Sequence, residues 1–199
     1  QLLPLLEFCR EKGIPVWADE VQTFCRTGQF FAFETFDIGD FIDVCTIAKT
    51  AQNGATLFTP DMNPNPGLLG GTFSGSSSSL RAGVEILKEL DQGQYMGPQG
   101  KIQKIHNNVL KMLRDLSEGS CKGKLNDPDG LGLMVAFTPG DGSKETQLKI
   151  VKKLYENGLM CFGCGHDPYR IRFLIPAILN EEHIEVAKGV LEKTLVENI

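Results

Sequence analysis

Apolar and polar positions follow two periods along this chain, and the period switches repeatedly. Over residues 2–12, Leu2, Leu5, Leu6 and Cys9 fall at helical spacing, and Gly13 follows as a stop signal. The run Ile14-Pro15-Val16-Trp17-Ala18 is continuous and apolar, the pattern of a short strand buried on both faces, and it ends at Asp19-Glu20. Residues 41–48 form a second β-rich run, which ends at Lys49. Residues 60–79 are rich in Pro, Gly and Ser and predict loop, with four serines leading into a helix that begins at Leu80. Such a loop serves either as a flexible linker or as an anion site at the helix N-terminus, and composition does not choose between them. Beyond it, Ile102, Ile105, Val109, Leu110 and Leu113 share one face of a helix expected over residues 99–116. A strand at 133–137, a helix at 144–157 stopped by Gly158, a strand at 170–175 and an amphipathic helix at 181–196 opened by Asn180 complete the pattern. Strands interleaved with helices indicate an α/β class. A break near residue 90 predicts one domain over residues 1–90 and a small C-terminal α+β domain over residues 91–199.

Composition changes this picture mainly by exclusion. The 199 residues carry a formal net charge of −5 and are 41% hydrophobic and 23% charged, which is ordinary for a globular protein with a real core. Mild acidity argues against nucleic acid or an anionic membrane as partner, because both call for a basic face. No apolar run approaches the roughly 18 to 20 residues of a bilayer span, and no signal-peptide pattern opens the chain. The six cysteines are scattered through apolar runs, which favours a reducing compartment: the cytoplasm, or the mitochondrial matrix if the source is eukaryotic. Cys161-Phe162-Gly163-Cys164-Gly165-His166 has half the spacing of a zinc site, but the chain holds no second Cys/His pair of matching spacing. It is therefore read as a Gly-rich strand end with two buried thiols, and no metal site is assigned.

If the two early strands are parallel neighbours, Asp19 and Lys49 emerge together at the carboxyl edge of the sheet, where open α/β sheets bind ligands. An acid and a lysine so placed meet the needs of pyridoxal phosphate: a Schiff base to the aldehyde, and a carboxylate that keeps the pyridine nitrogen protonated. Two solvated residues capping strands would look the same, so spacing alone does not decide. The local sequence does more. Ala18-Asp19-Glu20-Val21-Gln22-Thr23-Phe24-Cys25-Arg26-Thr27-Gly28 resembles the Asp-Glu-Val-Gln-Thr-Gly-Phe-Gly-Arg-Thr-Gly signature of class III pyridoxal-phosphate aminotransferases, the family of acetylornithine, ornithine and 4-aminobutyrate aminotransferases. Three further segments match that family in the same order: Thr46-Ile47-Ala48-Lys49 around its lysine, Gly70-Gly71-Thr72-Phe73-Ser74-Gly75 for its Ser-Thr-Phe-Gly-Gly loop, and Ile171-Arg172-Phe173-Leu174-Ile175-Pro176 for its Ile-Arg-Phe-x-Pro-Pro strand.

The resemblance implies a fold type I cofactor domain, with a mostly parallel sheet and helices, joined to a small C-terminal domain. It implies Asp19 as partner of the pyridine nitrogen, Val21 as apolar contact on one ring face, and Gln22 as hydrogen-bond donor to the phenolic oxygen. Lys49 is implied as Schiff-base lysine and proton carrier, a role that calls for desolvation of its amine. Thr72 would bind the cofactor phosphate of the neighbouring subunit, hence a homodimer with shared active sites, and Arg172 the substrate carboxylate through paired hydrogen bonds. The implied reaction moves an amino group from an amino acid or amine, acetylornithine- or ornithine-like, to a 2-oxo acid such as 2-oxoglutarate. A non-catalytic relative, and a racemase or aminomutase on the same scaffold, are the alternatives.

Three departures bear on the site. Phe24-Cys25 stands where the family has Gly-Phe-Gly, one residue fewer, so the turn must be built differently. Thr50-Ala51-Gln52-Asn53-Gly54 replaces the glycine run after the lysine, and serines replace Asn-Pro after Gly75. The resemblance also covers the whole chain but only the second half of the family's length. The same-subunit phosphate loop and the ring-stacking aromatic are not in it, so the chain is expected to be a fragment with little activity alone.

Overall fold

The computed structural model describes residues 2–72 and 75–199. By contacts the chain divides into two compact units, residues 1–96 and 97–199.

The first unit opens with α1 (Leu3–Glu11), whose Pro4 sits in the first turn, where a missing N–H does no harm. Only Leu6 of this helix is buried; Leu2, Leu3, Leu5 and Phe8 are exposed. β1 (Trp17–Glu20) starts three residues later than the apolar run suggested and takes Asp19 and Glu20 into the strand. Backbone pairing decides this boundary: Trp17 to Glu20 pair in parallel register with Val44 to Ile47 of β2 (Val44–Ile47). The expectation of burial on both faces is corrected too. β1 is an edge strand, and Trp17 is 66% exposed. β3 (Ala55–Phe58) adds an antiparallel strand on the far side of β2, giving the order β1-β2-β3. Between β1 and β2 lie a short helical turn, α2 (Ala32–Thr35), and a 3₁₀ turn, Gly39–Phe41. α3 (Ser77–Gln92) follows the loop region, and its first turn is made of serines that the sequence had assigned to the loop.

The second unit is a four-stranded antiparallel sheet, order β4-β5-β7-β6, covered by three helices. Its elements are α4 (Lys101–Glu118), β4 (Leu125–Leu131), β5 (Met134–Pro139), α5 (Lys144–Glu156), β6 (Phe162–Gly165), β7 (Tyr169–Leu174) and α6 (Glu181–Asn198). Ile102, Ile105, Val109, Leu113 and Leu116 bury one stripe of α4, as their spacing demands. Opposite them Leu125, Val135, Phe137 and Ile171 close the core from the sheet. Ser143 caps α5 by accepting the Thr146 N–H at 3.2 Å, and Asn180 caps α6 by accepting the His183 N–H at 3.0 Å. Gln147 ties α5 to the sheet, its buried amide donating to the carbonyls of Cys164 (2.9 Å) and Arg170 (2.6 Å).

Candidate active site

Parallel pairing fixes the geometry of the first unit's site. Asp19 lies opposite Thr46 and Glu20 opposite Ile47, so both chains leave the sheet at one edge, with Asp19 in the last turn of pleat and Lys49 two residues beyond Ile47. Asp19 and Lys49 are both exposed. The desolvation a working lysine calls for is therefore not supplied by the described residues of this chain. Asp19 is also a local organiser, since its Oδ1 accepts the Val21 N–H at 3.1 Å and starts the turn that carries Val21 and Gln22.

That turn is built without the expected glycines. Its Phe24 N–H bonds the Glu20 carbonyl at 3.0 Å, and its Arg26 N–H the Thr23 carbonyl at 2.9 Å. Cys25 takes φ +57, the left-handed conformation for which glycine is the usual choice, and donates its N–H to the Phe30 carbonyl at 2.8 Å. Phe24, 4% exposed, packs on Phe31 with ring centres 5.2 Å apart, and Phe31 stacks on Phe33 at 4.8 Å. The buried Cys25 thiol is pushed up to about 12, by desolvation first and then by the negative charge of Glu20 and Glu34.

Lys49 itself stands at φ +45, at the head of a 3₁₀ turn, Lys49–Ala51. Gln52, where the family pattern has glycine, is also left-handed at φ +54 and holds the strained turn by two hydrogen bonds. Its backbone N–H (2.9 Å) and side-chain Nε2 (3.0 Å) both donate to the Lys49 carbonyl. The turn rests against α3 at Gly83, where an added Cβ would come within 2.6 Å of the Ala51 carbonyl oxygen.

The structure thus brings Asp19, Val21, Gln22 and Lys49 to one sheet edge. Thr72 is an exposed residue of the loop before α3, and its neighbours Phe73 and Ser74 lie outside the described residues. Arg172 belongs to the second unit, on β7, paired with Ala136 of β5 and Phe162 of β6, and it is half-buried. Arg170, left unassigned from sequence, is committed to structure: its guanidinium donates to the carbonyls of Asp127 and Ala136. Cys161 is buried but Cys164 only half-buried, and His166 Nδ1 faces the Tyr169 hydroxyl at 3.0 Å. Among the described residues no group of three or more His, Cys, Asp or Glu side chains gathers to hold a metal ion. Sequence reasoning missed Glu20, a carboxylate only 3% exposed. Burial of one acid beside an exposed one has no signature in a strand this short.

The class-III aminotransferase family model matches residues 2–195. This chain belongs to the class III aminotransferases. They are a pyridoxal-phosphate-dependent family. The chain is 32% identical over 204 residues to acetylornithine aminotransferase of Lactococcus lactis, covering 96% of this chain and 49% of that protein. It is 33% identical over 201 residues to the 5-aminovalerate aminotransferase DavT of Pseudomonas aeruginosa, covering 94% of this chain and 45% of that protein. The lysine aminotransferase of M. tuberculosis superposes with a TM-score of 0.84 at 20% identity, over 100% of this chain and 45% of that one. The aminotransferase chain therefore spans about half the length of the curated relatives it matches, and its fold is that part of a fold type I enzyme.

Proposed function

We propose that the protein transfers an amino group from an amino acid or amine, acetylornithine- or ornithine-like, to a 2-oxo acid such as 2-oxoglutarate, with pyridoxal 5′-phosphate as cofactor. One observation supports this most directly: the parallel register of β1 and β2, which sets an acid, an amide and a lysine along one sheet edge. That donor set fits the cofactor. A carboxylate at Asp19 suits a pyridinium N–H, the Gln22 amide suits a phenolate oxygen, and the Lys49 amine suits an aldehyde carbon.

When bound, the cofactor supplies the electron sink that stabilises a carbanion at the substrate Cα. The chain's own residues do the rest. Asp19 would hold the proton on the ring nitrogen, and Val21 would pack its methyls on one ring face. Gln22 would donate to the phenolic oxygen and set the ring's rotation. Lys49 would hold the aldehyde carbon and, when free, carry the substrate Cα proton. Thr72 would hold the phosphate bound by the partner subunit, which makes the working unit a homodimer with shared sites. Arg172 would hold the substrate carboxylate by two parallel hydrogen bonds that a lysine does not reproduce. The free cysteines favour a reducing compartment, the cytoplasm or the mitochondrial matrix.

Borohydride reduction of the full-length protein with cofactor, followed by peptide mapping, is expected to label Lys49, and Lys49→Ala to lower transamination at least about 10²-fold. A label on another lysine overturns the assignment.

A further inference from the structure

The Glu20 carboxylate is 3% exposed, and its two oxygens are met by an O–H and an N–H. Oε2 accepts the Thr23 hydroxyl, and Oε1 accepts the Phe33 N–H at 3.1 Å. These two donors sit at opposite ends of the lobe that leaves β1 after Glu20, turns at Cys25 and comes back to α2. One carboxylate therefore closes a ten-residue excursion, and it does so next to Asp19, which bonds the Val21 N–H from the other side of the turn. Val21 and Gln22 lie between these anchors: Asp19 upstream, at the Val21 amide, and Glu20 downstream, at the Thr23 hydroxyl. A buried carboxylate is expensive to desolvate and is retained only where hydrogen bonds compensate it, so the arrangement resists drift of either end.

Resting on the proposed pyridoxal-phosphate reading of the site, we propose that Glu20 is a positioning residue, which sets Val21 and Gln22 against the cofactor ring by pinning both ends of the 23–33 lobe. It touches no reacting atom and acts through Thr23 and Phe33. The shape of the bond pattern, more than the charge, carries the role. Glutamine in its place keeps a carbonyl oxygen for the Phe33 N–H and turns its NH₂ to the Thr23 oxygen, whereas alanine keeps neither contact.

The test uses the full-length protein titrated with pyridoxal phosphate, reading the dissociation constant and the pH midpoint of the bound cofactor's visible absorption band. That midpoint reports the hydrogen bond to the phenolic oxygen, which a merely structural role would leave in place. Glu20→Ala is expected to weaken cofactor binding 10- to 100-fold and to move the midpoint by half a pH unit or more, while Glu20→Gln stays within threefold and keeps the midpoint. If alanine does not fold, Thr23→Val removes one anchor alone and is expected to shift the midpoint in the same direction by a smaller amount. An alanine or valine variant that melts earlier yet keeps wild-type affinity and midpoint overturns the proposal. Failure of the underlying functional reading is seen separately, as a wild-type protein in which borohydride leaves Lys49 unlabelled.

Discussion

Two residues stand in the left-handed region within segments where the family signature carries glycines, and each is held there by its own means. Cys25 is held by burial and by its bond to Phe30; Gln52 is held by its paired bonds to the Lys49 carbonyl. Gln52→Asn, which tolerates this conformation, is expected to change stability by less than about 0.5 kcal/mol, and Gln52→Val to lower it by about 2 kcal/mol, both read from chemical denaturation. Cys25 predicts a pH dependence. Its folded thiol ionises near 12 against an ordinary value of 9, so above pH 9 the unfolded chain has lost a proton that the folded chain keeps. Stability due to this group is complete below pH 9 and declines as pH rises toward about 12, at up to about 1.4 kcal/mol per pH unit. Cys45 and Cys161, each pushed by burial to about 11, act in the same direction. Urea midpoints at pH 8 and pH 10 are expected to fall in the wild type and to fall less in Cys25→Ala.

At the scale of elements, the strands that the sequence pattern did not announce share one property: β3 and β4 both lie at the edge of their sheets. An edge strand is paired on one side only and tolerates residues that a central strand excludes. β4 reads Leu-Asn-Asp-Pro-Asp-Gly-Leu, with Pro128 inside an irregularity of register between Asn126 and Asp129, and no alternation survives that. By contrast α4 and α5 run close to where their apolar stripes and caps place them, because those signals are local. Contacts between elements are a different matter. Gln147 is a polar residue on a helix by sequence and a buried tie to two strand carbonyls in the fold; Gln147→Leu is expected to cost about 1 to 3 kcal/mol by leaving those acceptors unmet, measured by thermal melting. Gly83→Ala raises helix propensity by about 1 kcal/mol and yet places a methyl 2.6 Å from the Ala51 carbonyl, so it is expected to displace the lysine turn and reduce labelling of Lys49.

Over the whole molecule the two units are unequal in their cores. Among the described residues, the largest fully buried side chains, from Phe137 and Ile102 to Leu195 and Thr194, all belong to residues 97–199. Both units leave some large apolar side chains open, Met160, Ile178 and Val186 in the second, but the first exposes more of them, Leu2, Leu3, Leu5, Phe8 and Trp17 included. Residues 97–199 expressed alone are expected to unfold in one cooperative transition, while residues 1–96 alone bind the hydrophobic dye ANS strongly. Dye binding of equal strength by both pieces would contradict this difference. No described helix is long and apolar enough to cross a membrane.

The residues proposed for the site, Asp19, Val21, Gln22 and Lys49, were singled out in the sequence by their order within a family signature, and the long helices were fixed by local periodicity. Other features were decided by tertiary structure, because they depend on a partner distant in sequence. Pairing with β2 drew Asp19 and Glu20 into a strand and put Asp19 beside Lys49's edge. The return of the chain at Phe33 turned Glu20 from a second acid in a motif into a buried clamp. The packing of α3 on a carbonyl gave Gly83 a role no spacing reveals. Each is a contact between segments more than ten residues apart, and pattern along a chain reports only what neighbours in the chain do.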